Sequence, residues 1–158
     1  MKDQTSPKPS YAPITPGGEV EKYRKCYQNE KYGTAKSFVT DFRSPELNQI
    51  EPGSTYLDVS CGRGEGIKYV LGRDPSIKAS GTELVPELCG DFGAYSVVSN
   101  KLPILDGLQR HDYVSCWEVL EHLPVHDVIP AVNRLLSLTD KKLFVSANDR
   151  RASGGDRD

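Results

Sequence analysis

The stretch that most constrains this chain is Tyr56 to Gly66, YLDVSCGRGEG. Thr55 to Val59 is β-branched and aromatic and predicts a short strand ending on an acid. Gly62, Gly64 and Gly66 then follow at alternate positions. Glycine admits positive φ and lets other atoms come close to the backbone. Beyond them Ile67, Val70 and Leu71 have helical spacing, and Gly72 reads as the C-cap. A strand that passes through a glycine turn into a helix leaves free N–H groups and partial positive charge at the helix start. That arrangement is a ligand cradle.

The alternation continues. Ile77 to Thr82, Tyr95 to Val98, His111 to Cys116 and Leu143 to Ala147 read as four further strands. Pro86 is placed to open a short helix. Asp127 reads as the cap of a helix carrying Val128, Ile129, Val132, Leu135 and Leu136 on one face, with Pro130 in its first turn. Strands alternating with helices predict an α/β fold, a parallel sheet covered on both sides. Upstream, residues 19–32 have helix-forming composition, with Val20, Tyr23 and Tyr27 on a shared face. Ala35 to Phe42 reads as a second helix, stopped near Pro45. Residues 1–18 hold Pro7, Pro9, Pro13, Pro16 and a Gly17–Gly18 pair, and read as a disordered tail. The expected organisation is one domain over 19–148 and a flexible tail over 149–158.

A length of 158 residues is enough for one domain with its own core. The net charge of -2 argues against a wholesale nucleic-acid footprint. Local basic clusters at Lys22, Arg24, Lys25 and Lys31, and at Lys141, Lys142, Arg150 and Arg151, leave nucleic acid open as a partner. Cys26, Cys61, Cys89 and Cys116 are widely spaced with no C-x-x-C, which argues against a zinc knuckle or dithiol redox site and fits reduced thiols in a cytoplasmic protein. No apolar run approaches membrane-spanning length, and the polar start MKDQTSPKPS is not a signal peptide.

Two nucleotide-type ligands use a glycine cradle. A dinucleotide fingerprint, G-x-G-x-x-G, read from Gly62 would need its third glycine at 67, where this chain has Ile67. An acid at the strand end also suits a positive amino group better than a pyrophosphate. Glu83 follows Gly62 by 21 residues, where a ribose-binding carboxylate belongs in a mononucleotide-binding βαβ half.

The stretch resembles the first motif of class I SAM-dependent methyltransferases: an acid, then glycines spaced G-x-G. The resemblance implies a Rossmann-like three-layer fold and S-adenosylmethionine (SAM) as cofactor. It implies that Asp58 holds the methionine amino group directly or through water. Ser60, Cys61, Gly62 and Gly64 would wrap the methionine part, with Ser60 standing where the family usually has glycine. Glu83 would take the ribose, Leu84 would face adenine, and Asn100 is the nearest equivalent of the adenine-reading acid after the third strand. Cys116 joins this cofactor-binding set.

His111 to Pro124, HDYVSCWEVLEHLP, carries a second resemblance, to the E-V-L-E-H-L phrase of many class I methyltransferases, in the broad branch that includes ubiquinone-biosynthesis O-methyltransferases. Glu118 and His122 are placed toward the acceptor as catalytic candidates. Glu118, Glu121 and His122 lie at i, i+3 and i+4, so a helical turn would put them on one face. They are weak candidates for a divalent metal, as in relatives with a Glu-x-x-Glu-His set, and the reading requires none. Methyl transfer rests on alignment of nucleophile, methyl and sulfur, so few acid–base signatures are needed.

The expected sheet has five strands in the order 3-2-1-4-5, without the strand pair that usually ends this family's sheet. The fifth strand would then be an exposed edge, which predicts a homodimer or a partner chain there. The expected activity is methyl transfer to an O or N nucleophile of an unidentified acceptor, small molecule favoured. Two alternatives stand beside it: a nucleic-acid methyltransferase working as a dimer, and a non-catalytic subunit acting through a partner.

Overall fold

The computed structural model describes residues 18–28 and 42–147. Helix α1 spans Gly18–Gln28 and α2 spans Ser44–Leu47. The alternating part runs β1 Thr55–Val59, α3 Glu65–Arg73, β2 Lys78–Glu83, β3 Gly90–Asp91, β4 Ser96–Ser99, β5 His111–Trp117, α4 Val125–Ser137 and β6 Thr139–Ser146. Single 3-10 turns at Pro86–Leu88 and Leu120–His122 follow β2 and β5.

The sheet has six strands in the order β3-β4-β2-β1-β5-β6. β1 lies at its centre, parallel to β2 and β5, while β4 and β6 extend the parallel array outward. These five strands have the predicted order. The sixth, β3, is a two-residue strand antiparallel to β4, too short to show a sequence period.

Side chains alternate across β1. Tyr56 faces the layer formed by Leu47, Ile50, Ile67, Val70, Tyr113, Trp117 and Phe144. Leu57 and Val59 face the other, with Leu105, Val114, Cys116, Ala131, Leu135 and Leu138. A central strand buried on both faces is apolar almost throughout. Asp58 is the exception, and it stands at the end that meets the glycine turn.

Several boundaries differ from the sequence reading. α3 continues through Gly72 to Arg73, and Asp74 caps it. Pro124, not Asp127, is the N-cap of α4, so Pro130 lies inside the helix, past its first turn. Of the expected face of α4, Leu135 is buried and Val132 packs against the core, Ala131 is buried beside them, and Ile129 and Leu136 are exposed. Pro45 lies in the first turn of α2 and opens that helix. The expected helix over 35–42 falls almost entirely outside the described residues, as do both predicted tails apart from Gly18. Val20, Tyr23 and Tyr27 of α1 are half-buried, and no α1 residue is fully buried.

Candidate active site

The C-terminal ends of β1, β2, β4 and β5 meet at one edge of the sheet, where ligands of open parallel sheets bind. A cleft of about 210 Å³ opens there. Its wall includes Ser60, Cys61 and Gly62 after β1, Glu83 and Leu84 at the end of β2, Asn100 after β4, and Trp117, Glu118 and His122 after β5. α1 lies across the opening and contributes Glu19, Tyr23 and Tyr27.

The loop after β1 takes its shape from left-handed backbone. Ser60, Gly62 and Gly64 have φ of 59°, 58° and 72°. For Ser60 this conformation costs about 1 kcal/mol that glycine would avoid. The Cys61 N–H donates to Thr82 O at 2.9 Å and the Ser60 N–H to Thr82 Oγ1 at 3.2 Å, pinning the loop to β2. Gly66 is small for a different reason: a Cβ there would lie 2.9 Å from Asp58 Oδ2.

Glu83 is 3% exposed and uses both carboxylate oxygens. Oε1 accepts from the N–H groups of Leu84 at 2.8 Å and Val85 at 3.2 Å. Oε2 accepts from the Gly62 N–H at 2.8 Å and, at 3.5 Å, from the Tyr27 hydroxyl. The carboxylate therefore clamps the glycine loop to the end of β2. Its longest and weakest bond is the one to α1.

Asp58 lies behind the loop, 2% exposed, and is not part of the cleft wall. Ser115 Oγ donates to its Oδ1 at 2.7 Å and is itself paired with the Tyr56 hydroxyl at 2.7 Å. Burial pushes the Asp58 carboxyl up to about 6, against the pull of Ser115 and the Arg43 guanidinium, and the Glu83 charge adds to the rise. Burial also pushes the Cys61 thiol up, and the Cys116 thiol up to about 12, so neither is a ready nucleophile. Gly64 and Cys116, like Asp58, stand outside the cleft wall. Asn100 lines it, with Nδ2 donating to Asp106 O at 2.9 Å and Oδ1 accepting from the Lys101 N–H at 3.0 Å.

The acceptor-side residues are arranged differently from the expected helical face. Glu118 has φ 55° and precedes the turn that carries Glu121 and His122, so the three do not share a helix. Its Oε1 accepts from Ser146 Oγ at 2.7 Å, which ties it to β6. The His122 ring meets Tyr23 edge-on, centroids 6.1 Å apart. Glu121 is not in the cleft wall. Among the described residues no group of three His, Cys, Asp or Glu could hold a metal ion.

Tyr23, Tyr27 and Arg43 line the cleft without belonging to a sequence motif, and Trp117 lies in the second motif without having been assigned a role. The Arg43 guanidinium stands 5.2 Å from the centroid of the Trp117 ring. Burial lowers its pKa, while Asp58 and Glu118 hold it up. The i, i+4 spacing of Tyr23 and Tyr27 marked a helix face without marking what that face covers.

No protein-family model matches this chain, and no curated protein matches it. Its structure resembles magnesium protoporphyrin IX methyltransferase from Synechocystis, solved with bound SAM, with TM-score 0.64, 20% identity and coverage of 84% of this chain and 72% of that one. It resembles the Burkholderia thailandensis 1,6-didemethyltoxoflavin-N1-methyltransferase, solved with bound 1,6-didemethyltoxoflavin and S-adenosylhomocysteine, with TM-score 0.63, 19% identity and coverage of 87% and 66%. It also resembles coclaurine N-methyltransferase, bound to N-methylheliamine and S-adenosylhomocysteine, with TM-score 0.57, 17% identity and coverage of 70% and 35%. The likeness is one of fold, and the fold is the Rossmann-like one of these methyltransferases.

The buried Asp58 predicts a pH-dependent gain on its removal. Its folded value of about 6 lies above the ordinary 3.8, so the folded protein keeps a proton that the unfolded chain has released between those values. This group therefore costs stability as pH rises through that window, and the cost is complete above it. Asp58→Asn is expected to stabilise the ligand-free protein by up to about 3 kcal/mol at pH 8, fading toward pH 4. Urea unfolding at several pH values measures this. A loss of stability at pH 8 would show that the charge is compensated in the fold.

Proposed function

We propose that this chain is a SAM-dependent methyltransferase acting on an O or N nucleophile of a small molecule. The observation that carries the reading is the Glu83 carboxylate, buried beside the Gly62 N–H in a cleft at the parallel strand ends. A carboxylate so placed can accept from a ribose hydroxyl in place of the Tyr27 hydroxyl. Leu84 and Asn100, adjoining it in the cleft wall, suit the adenine. Ser60 to Gly62 would take the methionine part, with Gly64 shaping the turn. Asp58 acts from behind the loop, its negative charge favouring the ammonium and sulfonium of the cofactor, and Arg43 suits the methionine carboxylate. The structural neighbours solved with SAM or S-adenosylhomocysteine support this choice of ligand.

In the reaction the nucleophile's lone pair attacks the sulfonium methyl. The carbon–sulfur bond breaks with its electrons to sulfur, leaving S-adenosylhomocysteine. Glu118 and His122 line the side of the cleft away from Glu83 and would take the nucleophile's proton. No metal enters this scheme. We place the protein in the cytoplasm, consistent with four free cysteines, all among the described residues; no helix there is long and apolar enough to cross a membrane. We infer a homodimer through β6, the longer of the two edge strands among the described residues. Light scattering at twice the 17.5 kDa chain mass supports that; a 17.5 kDa particle contradicts it.

Two measurements test the activity. SAM labelled in its methyl group, incubated with the protein and with separate small-molecule, nucleic-acid and protein fractions of a cell extract, should label the small-molecule fraction. Glu83→Ala should abolish the labelling. Label in nucleic acid would move the acceptor class, and no label in any fraction would favour a non-catalytic subunit. A ribose hydroxyl must also displace the Tyr27 hydroxyl from Glu83. Tyr27→Phe is therefore expected to tighten S-adenosylhomocysteine binding about threefold, while weaker binding would make Tyr27 a cofactor contact.

A further inference from the structure

A second cavity, of about 450 Å³, adjoins the cleft. It is lined by Phe42, Glu46, Phe144 and Val145 among others, and shares Arg43, Trp117 and Glu118 with the cleft. Its walls are aromatic: the Trp117 and Phe144 rings are nearly parallel, at 8° with centroids 6.3 Å apart, and Phe42 is 68% exposed at its edge. Trp117 Nε1 is a shielded donor without an acceptor, and Glu46 is the carboxylate of this kind in the lining. Its Oε2 is shielded from solvent and accepts no hydrogen bond. A shielded carboxylate oxygen without a donor is costly, and such an atom in a native protein calls for a partner.

The other carboxylates nearby are already engaged. Glu118 Oε1 accepts from Ser146, and Asp58 Oδ1 accepts from Ser115. The Arg43 guanidinium, above Trp117, feels the charges of Asp58 and Glu118. Glu46 and Glu118 both line this cavity with Arg43, so an anion entering it meets two carboxylates against one guanidinium. A neutral or cationic N–H donor meets an unfilled acceptor.

We propose that this cavity is the acceptor subsite, and that the acceptor is a planar aromatic or heteroaromatic compound methylated on nitrogen. This rests on the methyltransferase reading and narrows its O or N nucleophile to N. The rings of Phe42, Trp117 and Phe144 bind the flat body, and Glu46 accepts one N–H and orients the nitrogen. Trp117 and Glu118, common to both cavities, form the boundary the nitrogen must face to meet the methyl. The nitrogen lone pair forms the new carbon–nitrogen bond as the carbon–sulfur bond breaks. Glu118 then takes the proton that the methylated nitrogen releases.

Ligand-observed NMR on the full chain, with and without saturating S-adenosylhomocysteine, tests this with an aminoquinoline, a methylquinoline and a quinoline carboxylate. The aminoquinoline is expected to bind at least tenfold tighter than the other two, and together with S-adenosylhomocysteine. Glu46→Gln keeps the shape but halves the acceptor capacity and adds a donor, and should weaken aminoquinoline binding about tenfold. The same variant should leave S-adenosylhomocysteine binding unchanged, which also shows that it folds. Equal binding of the carboxylate, no binding of the amine, or an undiminished affinity in Glu46→Gln overturns the subsite while the cofactor reading stands. Amine binding without any S-adenosylhomocysteine binding overturns the methyl-transfer reading, and the acceptor role with it.

Discussion

The site depends on one clamp, the Glu83 carboxylate at the end of β2. Through Gly62 it fixes the loop after β1, and through Leu84 and Val85 it fixes the chain leaving β2. Two segments joined by a helix are thereby held at one spacing, whatever the length of side chain elsewhere. The same carboxylate is the group that a ribose would use. On the proposed reading one residue would serve both structure and recognition, and its one expendable bond is the long one to Tyr27. α1, with no fully buried residue, is tied down by the Tyr23–His122 ring contact and by polar contacts, among them Arg63 to Tyr27 O and the Arg24–Glu87 and Lys101–Glu19 ion pairs. Exposed pairs of this kind contribute little, so α1 is the element that can yield to a ligand.

Around that clamp the protein holds unfavourable features. Asp58 is charged at a place where burial opposes charge. Ser60 and Glu118 occupy left-handed backbone on opposite sides of the cleft. Each would be relieved by a simple substitution, and each is held by packing around it: Ser115 for Asp58, Thr82 for Ser60, Ser146 for Glu118. Strain and buried charge gather where ligands bind because the rest of the fold can sustain them there. A cationic cofactor would turn the Asp58 cost into a gain, since its positive charge favours the ionised carboxylate.

Much of the fold was legible in the chain. β-branched runs marked five strands, and the glycine turn with Glu83 marked the edge where they converge. What escaped had physical causes. β3 is two residues long and has no period. Pro124 rather than Asp127 starts α4, because proline's fixed φ suits that position, and of the expected face Leu135 is buried and Val132 packs against the core, with Ala131 joining them. The spacing of Glu118, Glu121 and His122 promised a shared face only if the chain was helical there. A positive φ at a glutamate is set by the β5–β6 contact through Ser146, and no local rule reveals it. Tyr27, Arg43 and Glu46 reach the cavities from segments distant in sequence, so their roles belong to tertiary structure.

The central claim is that this cleft binds a nucleoside whose ribose is read by Glu83. Trp117 is the chain's one tryptophan and stands in the cleft wall, so its fluorescence reports ligand entry directly. Titration of the protein with S-adenosylhomocysteine should give a saturable change at one equivalent, and Glu83→Gln should shift the midpoint at least tenfold to higher concentration. A flat titration of the wild-type protein, or a midpoint unmoved by Glu83→Gln, would contradict the account.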